Sequence, residues 1–101
     1  MDWDDKIELV RLGNKRLESS VTRKRYQEFV LAHVDTFDGQ AIDMFITNET
    51  LISEDVLESK EFYTEAINRI NELIKDPDIN NKVSMRADIR LGILEELIKE
   101  N

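Results

Sequence analysis

The 101-residue chain contains no cysteine, which removes disulfides, thiolate metal sites and cysteine nucleophiles from consideration. A reducing cytoplasm is the compartment this predicts. One proline and three glycines fit helices better than a turn-rich β architecture. The single histidine, His33, is the only imidazole on which acid–base chemistry could rest. No stretch approaches the ~20 apolar residues needed to span a bilayer. Met1-Asp2-Trp3-Asp4-Asp5 opens with acids where a signal peptide carries bases. Neither export nor membrane insertion is expected. A phosphate loop, a dinucleotide fingerprint, a nucleophile elbow and a zinc-protease helix are all missing. The sequence therefore predicts no catalytic residue, no metal and no cofactor.

What the chain has is charge. Charged residues make up 36% and hydrophobic residues 41% of it, with a net charge of −8, enough apolar material for one core and one domain. The charge is uneven: residues 1–10 carry −3, residues 11–25 carry +5, residues 26–66 carry −9 and residues 67–101 carry −1. A basic segment of Arg11, Lys15, Arg16, Arg23, Lys24 and Arg25 thus precedes a strongly acidic middle. Asymmetry of this kind steers partners without specifying a fold.

Periodicity predicts an all-α bundle of four or five helices. Asp2 is a good N-cap for a first helix, with Asp4 and Asp5 in the turn where the helix dipole favours acids. Trp3, Ile7, Val10, Leu17 and Val21 follow helical spacing along one line, weakened by Gly13 and by Asn14 on the apolar side. A break at Ser19-Ser20 precedes a second helix from about Thr22 to Val34, with Tyr26, Phe29, Val30 and His33 on one face. Residues 26–48 also fit a β-hairpin turning at Asp38-Gly39, because an Asp-Gly pair between apolar segments is a hairpin signal. The alternative architecture is thus an α+β fold with that hairpin packed on helices. Residues 41–46 are ambiguous in the same way, fitting a short helix by spacing and a strand by propensity.

From about Asp55 to Lys75, Val56, Phe62, Tyr63, Ala66, Ile67, Ile70, Leu73 and Ile74 fall in one arc, predicting an amphipathic helix with Ser53 or Ser59 as its cap. Asp76-Pro77-Asp78 ends it. A last helix from about Lys82 to Lys99 presents Ile89, Leu91, Ile93, Leu94, Leu97 and Ile98 over about half its circumference, wider than the stripe of roughly 100° expected of a surface helix. Arg86 and Arg90 project into the same arc.

These features give two competing functional expectations. In the first, a protein-binding regulator or inhibitor presents its acidic middle to a basic protein, through Asp43, Glu54, Asp55, Glu58, Glu61 and Glu65, with Arg86 and Arg90 beside the apolar arc of the last helix. Its size and charge fit an immunity, antitoxin or host-takeover protein. In the second, the basic segment from Arg11 to Arg25 contacts nucleic acid, with Tyr26 adding a stacking surface. An assembly subunit or homodimer joined through the last helix is a third reading. His33, Asp35 and Asp38 have a spacing that suggests a metal site only weakly, and a partly buried histidine with two loop or capping acids explains them as well.

Overall fold

The computed structural model describes residues 1–49 and 53–99, and the side chains of these except at positions 49 and 53–55. Seven α-helices account for most of it: α1 (Trp3–Lys15), α2 (Ser20–His33), α3 (Gly39–Glu49), α4 (Ser53–Glu58), α5 (Lys60–Leu73), α6 (Pro77–Asn80) and α7 (Met85–Lys99), with a 3-10 turn at Val34–Thr36. Among the described residues there is no strand, so the all-α bundle reading holds, with seven helices rather than four or five, and the hairpin is replaced by α2 and α3. None of these helices is long and apolar enough to cross a membrane.

The helix starts follow from local chemistry. Asp2 accepts from the Asp5 amide and caps α1. Ser19 and Thr22 form a reciprocal capping box at α2, satisfying two backbone donors at once. Asp38 accepts from the Ala41 amide at 2.9 Å, and this explains the misleading hairpin signal. The Asp-Gly pair is an N-cap followed by a close-packed first residue. Gly39 has no positive φ, whereas the hairpin turn requires one. A Cβ at Gly39 would stand 2.5 Å from Lys82 Cβ and 2.9 Å from the Ile79 carbonyl oxygen, so α3 starts hard against the backbone after α6.

Two boundaries differ from expectation. The helix foreseen over Asp55–Lys75 is divided at Ser59, whose φ of −117° and ψ of 37° leave helical geometry. Its hydroxyl does not cap α5 but accepts from Gln27 Nε2 of α2 at 2.9 Å. Pro77 ends one helix and also begins the next, because its missing N–H costs nothing at the first helical position. The last helix starts later than Lys82, where Ser84 Oγ accepts from the Ala87 amide.

α3 is the central element. Ala41, Ile42, Phe45 and Ile46 are all wholly buried. α1 and α7 both pack on α3, α2 packs on α1 and α5, and α5 and α4 pack on α7. The molecule measures 36 × 34 × 19 Å, and its thin direction corresponds to roughly two helices of about 10 Å each. At the core, Phe45 has Tyr26, Phe37, Phe62 and Tyr63 around it, with ring centroids 6.2–6.5 Å away.

α1 does not bury the apolar line seen in its sequence. Trp3, Ile7, Val10, Leu17 and Val21, the apolar line of the sequence, are all exposed. The inward face is Lys6, Leu9, Gly13 and, just past the helix, Arg16. Gly13 explains part of this: a Cβ there would lie 2.2 Å from Asn48 Nδ2 and 3.3 Å from Tyr26. The rest comes from partners that satisfy the buried cations. Lys6 Nζ donates to Asp38 Oδ2 at 2.8 Å and Gln40 Oε1 at 2.9 Å. Arg16 donates to the carbonyls of Gly13 and Asn48.

Candidate functional site

Among the described residues, several acids of the middle segment are paired rather than free. Asp43 is half-buried and accepts from the Ser84 amide at 3.0 Å, fixing the start of α7. Glu58 pairs with Arg23 at 3.0 Å and Glu65 with Arg69 at 3.0 Å. Glu61 is exposed and makes no ion pair among the described residues. The side chains of Glu54 and Asp55 lie outside the described residues. Arg90 donates to the Thr47 carbonyl at 3.0 Å and ties α7 to α3. Arg86 stays exposed, with no hydrogen bond or ion pair among the described residues.

The basic segment is similarly dispersed. Arg16 is 5% exposed and serves as a strut between helices, which withdraws it from any phosphate. Arg23 is held by Glu58. Arg11 is held by Glu8, its Nε lying 2.9 Å from Oε2. That hydrogen bond, the larger cause, and the charge of Arg11 lower the Glu8 pKa, while Glu8 raises that of Arg11. Lys24 stands 3.9 Å from Glu28. Between α1 and α2 a cleft of about 540 Å³ brings Arg11, Lys15 and Arg25 together with Glu8, Glu18 and Glu28. A polyanion entering it would meet as many carboxylates as bases.

His33, Asp35 and Asp38 have separate structural roles. His33 Nδ1 donates to the Phe29 carbonyl at 2.9 Å and the imidazole stacks on the Phe29 ring. Asp35 lies 3.9 Å from Arg69. Among the described residues no group of three or more histidine or acidic side chains is placed to hold a metal.

Asp38 caps α3 and neutralises the buried Lys6 at the same time. Partial burial pushes its carboxyl up, but hydrogen bonds from Lys6 and the Ala41 amide, with the charges of Lys6 and the amino terminus, outweigh this and hold it below the usual aspartate value. A carboxyl lowered by folding binds its proton more tightly in the unfolded chain. Its contribution is thus full above the ordinary aspartate pKa and is lost as pH falls through the folded one. Asp38→Asn keeps the cap and removes the charge. The carboxylate is 46% exposed, so solvent screening limits the expected loss to about 1 kcal/mol at neutral pH. Urea melts of both proteins should show this gap closing below about pH 4; a gap independent of pH contradicts the assignment.

The residues that stand out on the surface are apolar. Trp3 is 60% exposed and Ile7 51%, and with Val10, Asn14, the stems of Lys6 and Arg11, and Met44 of α3 they line a groove of about 430 Å³ between α1 and α3. Asp2, the N-cap, and Asp4, in the first turn of α1, flank Trp3 in the chain and are both exposed. The sequence showed this stripe as one helical line but did not say which way it faces. The available signal was Gly13, which marks the side of α1 that needs close approach, on the same arc as Leu9. A second exposed apolar line, Met85, Ile89 and Ile93, runs along α7. Comparison with protein-family models, curated proteins and solved structures returns no match, and the residues themselves carry the functional reading.

Proposed function

We propose that the protein is a small, acidic, non-enzymatic protein-binding regulator or inhibitor of the cytoplasm, which seats an apolar segment of a basic partner protein in the α1–α3 groove. The observation that carries this is Trp3, displayed with Ile7 and Val10 on a face of α1 turned away from the core, beside a groove to which half-buried Met44 of α3 contributes. Exposing a continuous apolar stripe is costly in water, and such patches mark interaction sites. Tryptophan is among the residues that dominate binding energy at interfaces. The acids at the start of α1, within a chain of net charge −8, favour a cationic partner and speed its encounter. An immunity, antitoxin or host-takeover role fits this size and charge.

The test is a pull-down from lysate with the intact tagged chain, run with and without nuclease, beside a Trp3→Ala/Ile7→Ser variant. Both positions are more than half exposed, so the variant should fold, which circular dichroism checks. One basic protein should survive nuclease treatment with the wild type. Loss of a tryptophan hot spot costs about 2–4 kcal/mol, so retention by the variant should fall by roughly 30-fold or more. Equal retention by the variant overturns the reading. Recovery of nucleic acid alone, lost on Lys24→Glu/Arg25→Glu substitution, transfers it to the basic segment.

A further inference from the structure

We propose that the outer face of α7 is a self-association surface, on which a second copy of this chain docks antiparallel about a two-fold axis, Arg86 of each protomer pairing with the partner's Glu96. α7 has two apolar faces. Ala87, Leu91 and Leu94 are buried in the core, while Met85, Ile89 and Ile93, spaced by four, are 79%, 60% and 51% exposed along the opposite side. The fold uses only one of the two.

Gly92 lies beside this line in the helix interior, where a Cβ would meet nothing within 4 Å. Glycine is the poorest helix former after proline, and nothing among the described residues requires it there. The space is of use to a backbone approaching from outside, as small residues allow where two helices cross closely.

The charges name the occupant. Arg86 and Glu96 are exposed and have no hydrogen bond or ion pair among the described residues. They stand symmetrically about Leu91, about 7.5 Å along the helix on either side, and Ile89 and Ile93 stand symmetrically about it too, at about 3 Å. In an antiparallel pair with its axis level with Leu91, Ile89 therefore meets the partner's Ile93 and Arg86 the partner's Glu96, each contact occurring twice. A parallel pair would instead set like charges against each other. Such a palindromic pattern is what an isologous interface demands of one surface, and an unrelated partner demands no such symmetry. Arg90 takes no part, being bound to the Thr47 carbonyl. The dimer would carry two copies of the α1–α3 groove.

Sedimentation velocity of the intact protein over a concentration series tests this, with circular dichroism confirming that each variant folds. The wild type should dimerise. Arg86→Glu and Glu96→Arg, each placing like charges in apposition, should weaken the dimer by about tenfold or more, and the combined charge swap should restore it. Ile89→Ser/Ile93→Ser should give a folded monomer. A wild type that stays monomeric at every concentration overturns the proposal. So does a dimer indifferent to these substitutions, or one that the charge swap fails to restore.

Discussion

Replacing Phe45 by alanine is expected to cost about 3–5 kcal/mol and to lower the thermal midpoint by about 15–30 °C. The ring is wholly buried and is the one that Tyr26, Phe37, Phe62 and Tyr63 all approach. Those four rings come from α2, the segment before α3, and α5, so the cavity left by truncation touches three parts of the chain and cannot close by moving one side chain. A domain of this size holds roughly 5–15 kcal/mol in total, and the loss is therefore a large fraction of its stability. Phe45→Leu, which retains most of the buried volume, should cost about 1–1.5 kcal/mol. Thermal melts followed by circular dichroism read both. A loss below about 1 kcal/mol for alanine would place the centre of the core elsewhere.

The second large effect has the opposite sign to helix propensity. Glycine to alanine inside a helix ordinarily stabilises by about 0.5–1 kcal/mol, and Gly92→Ala, facing open space, should do so in the protomer. Gly39→Ala should instead destabilise by about 3 kcal/mol, at the upper end of overpacking costs. Its Cβ would overlap Lys82 Cβ, and it would also press on the Ile79 carbonyl oxygen and Lys82 carbonyl carbon at 2.9 Å. Backbone atoms cannot rotate away as a side-chain tip can. Relief requires the start of α3 to separate from the connection between α6 and α7, which also strains the Asp43–Ser84 hydrogen bond. Equilibrium urea unfolding of the two alanine variants gives the comparison directly. Stabilisation by both would contradict the close approach at Gly39.

Much of the fold was legible because it is local. The arc of Phe62, Tyr63, Ala66, Ile67 and Ile70 is the buried face of α5, and the break at Ser19-Ser20 and the N-cap at Asp2 stand where side-chain chemistry puts them. What periodicity missed depends on residues far apart in the chain. Lys6 is buried because Asp38 and Gln40 meet it across more than thirty positions, and Arg16 because the Asn48 carbonyl does. With those cations satisfied inside, α1 turns its tryptophan stripe outward, a direction that helical spacing alone does not give, and the stripe becomes the candidate site. The acidic middle holds a pairing of the same long-range kind. Glu58 pairs with Arg23, 35 residues away, so one charge of each segment is held against the other. In α7 the wide apolar arc was visible, but its division into Leu91 and Leu94 inside and Ile89 and Ile93 outside is set by where α3 and α5 lie.

Trp3 is the only tryptophan, and its fluorescence reports on the exposed face of α1 without any label. In the free, folded protein its emission should be red-shifted as in water, open to acrylamide quenching, and nearly unchanged when urea unfolds the chain. Adding the basic protein recovered in the pull-down should shift the emission to the blue and shield it from the quencher. A blue-shifted, quencher-protected tryptophan in the free protein would mean that this face is already covered, and the α1–α3 groove could not be the place where a partner binds.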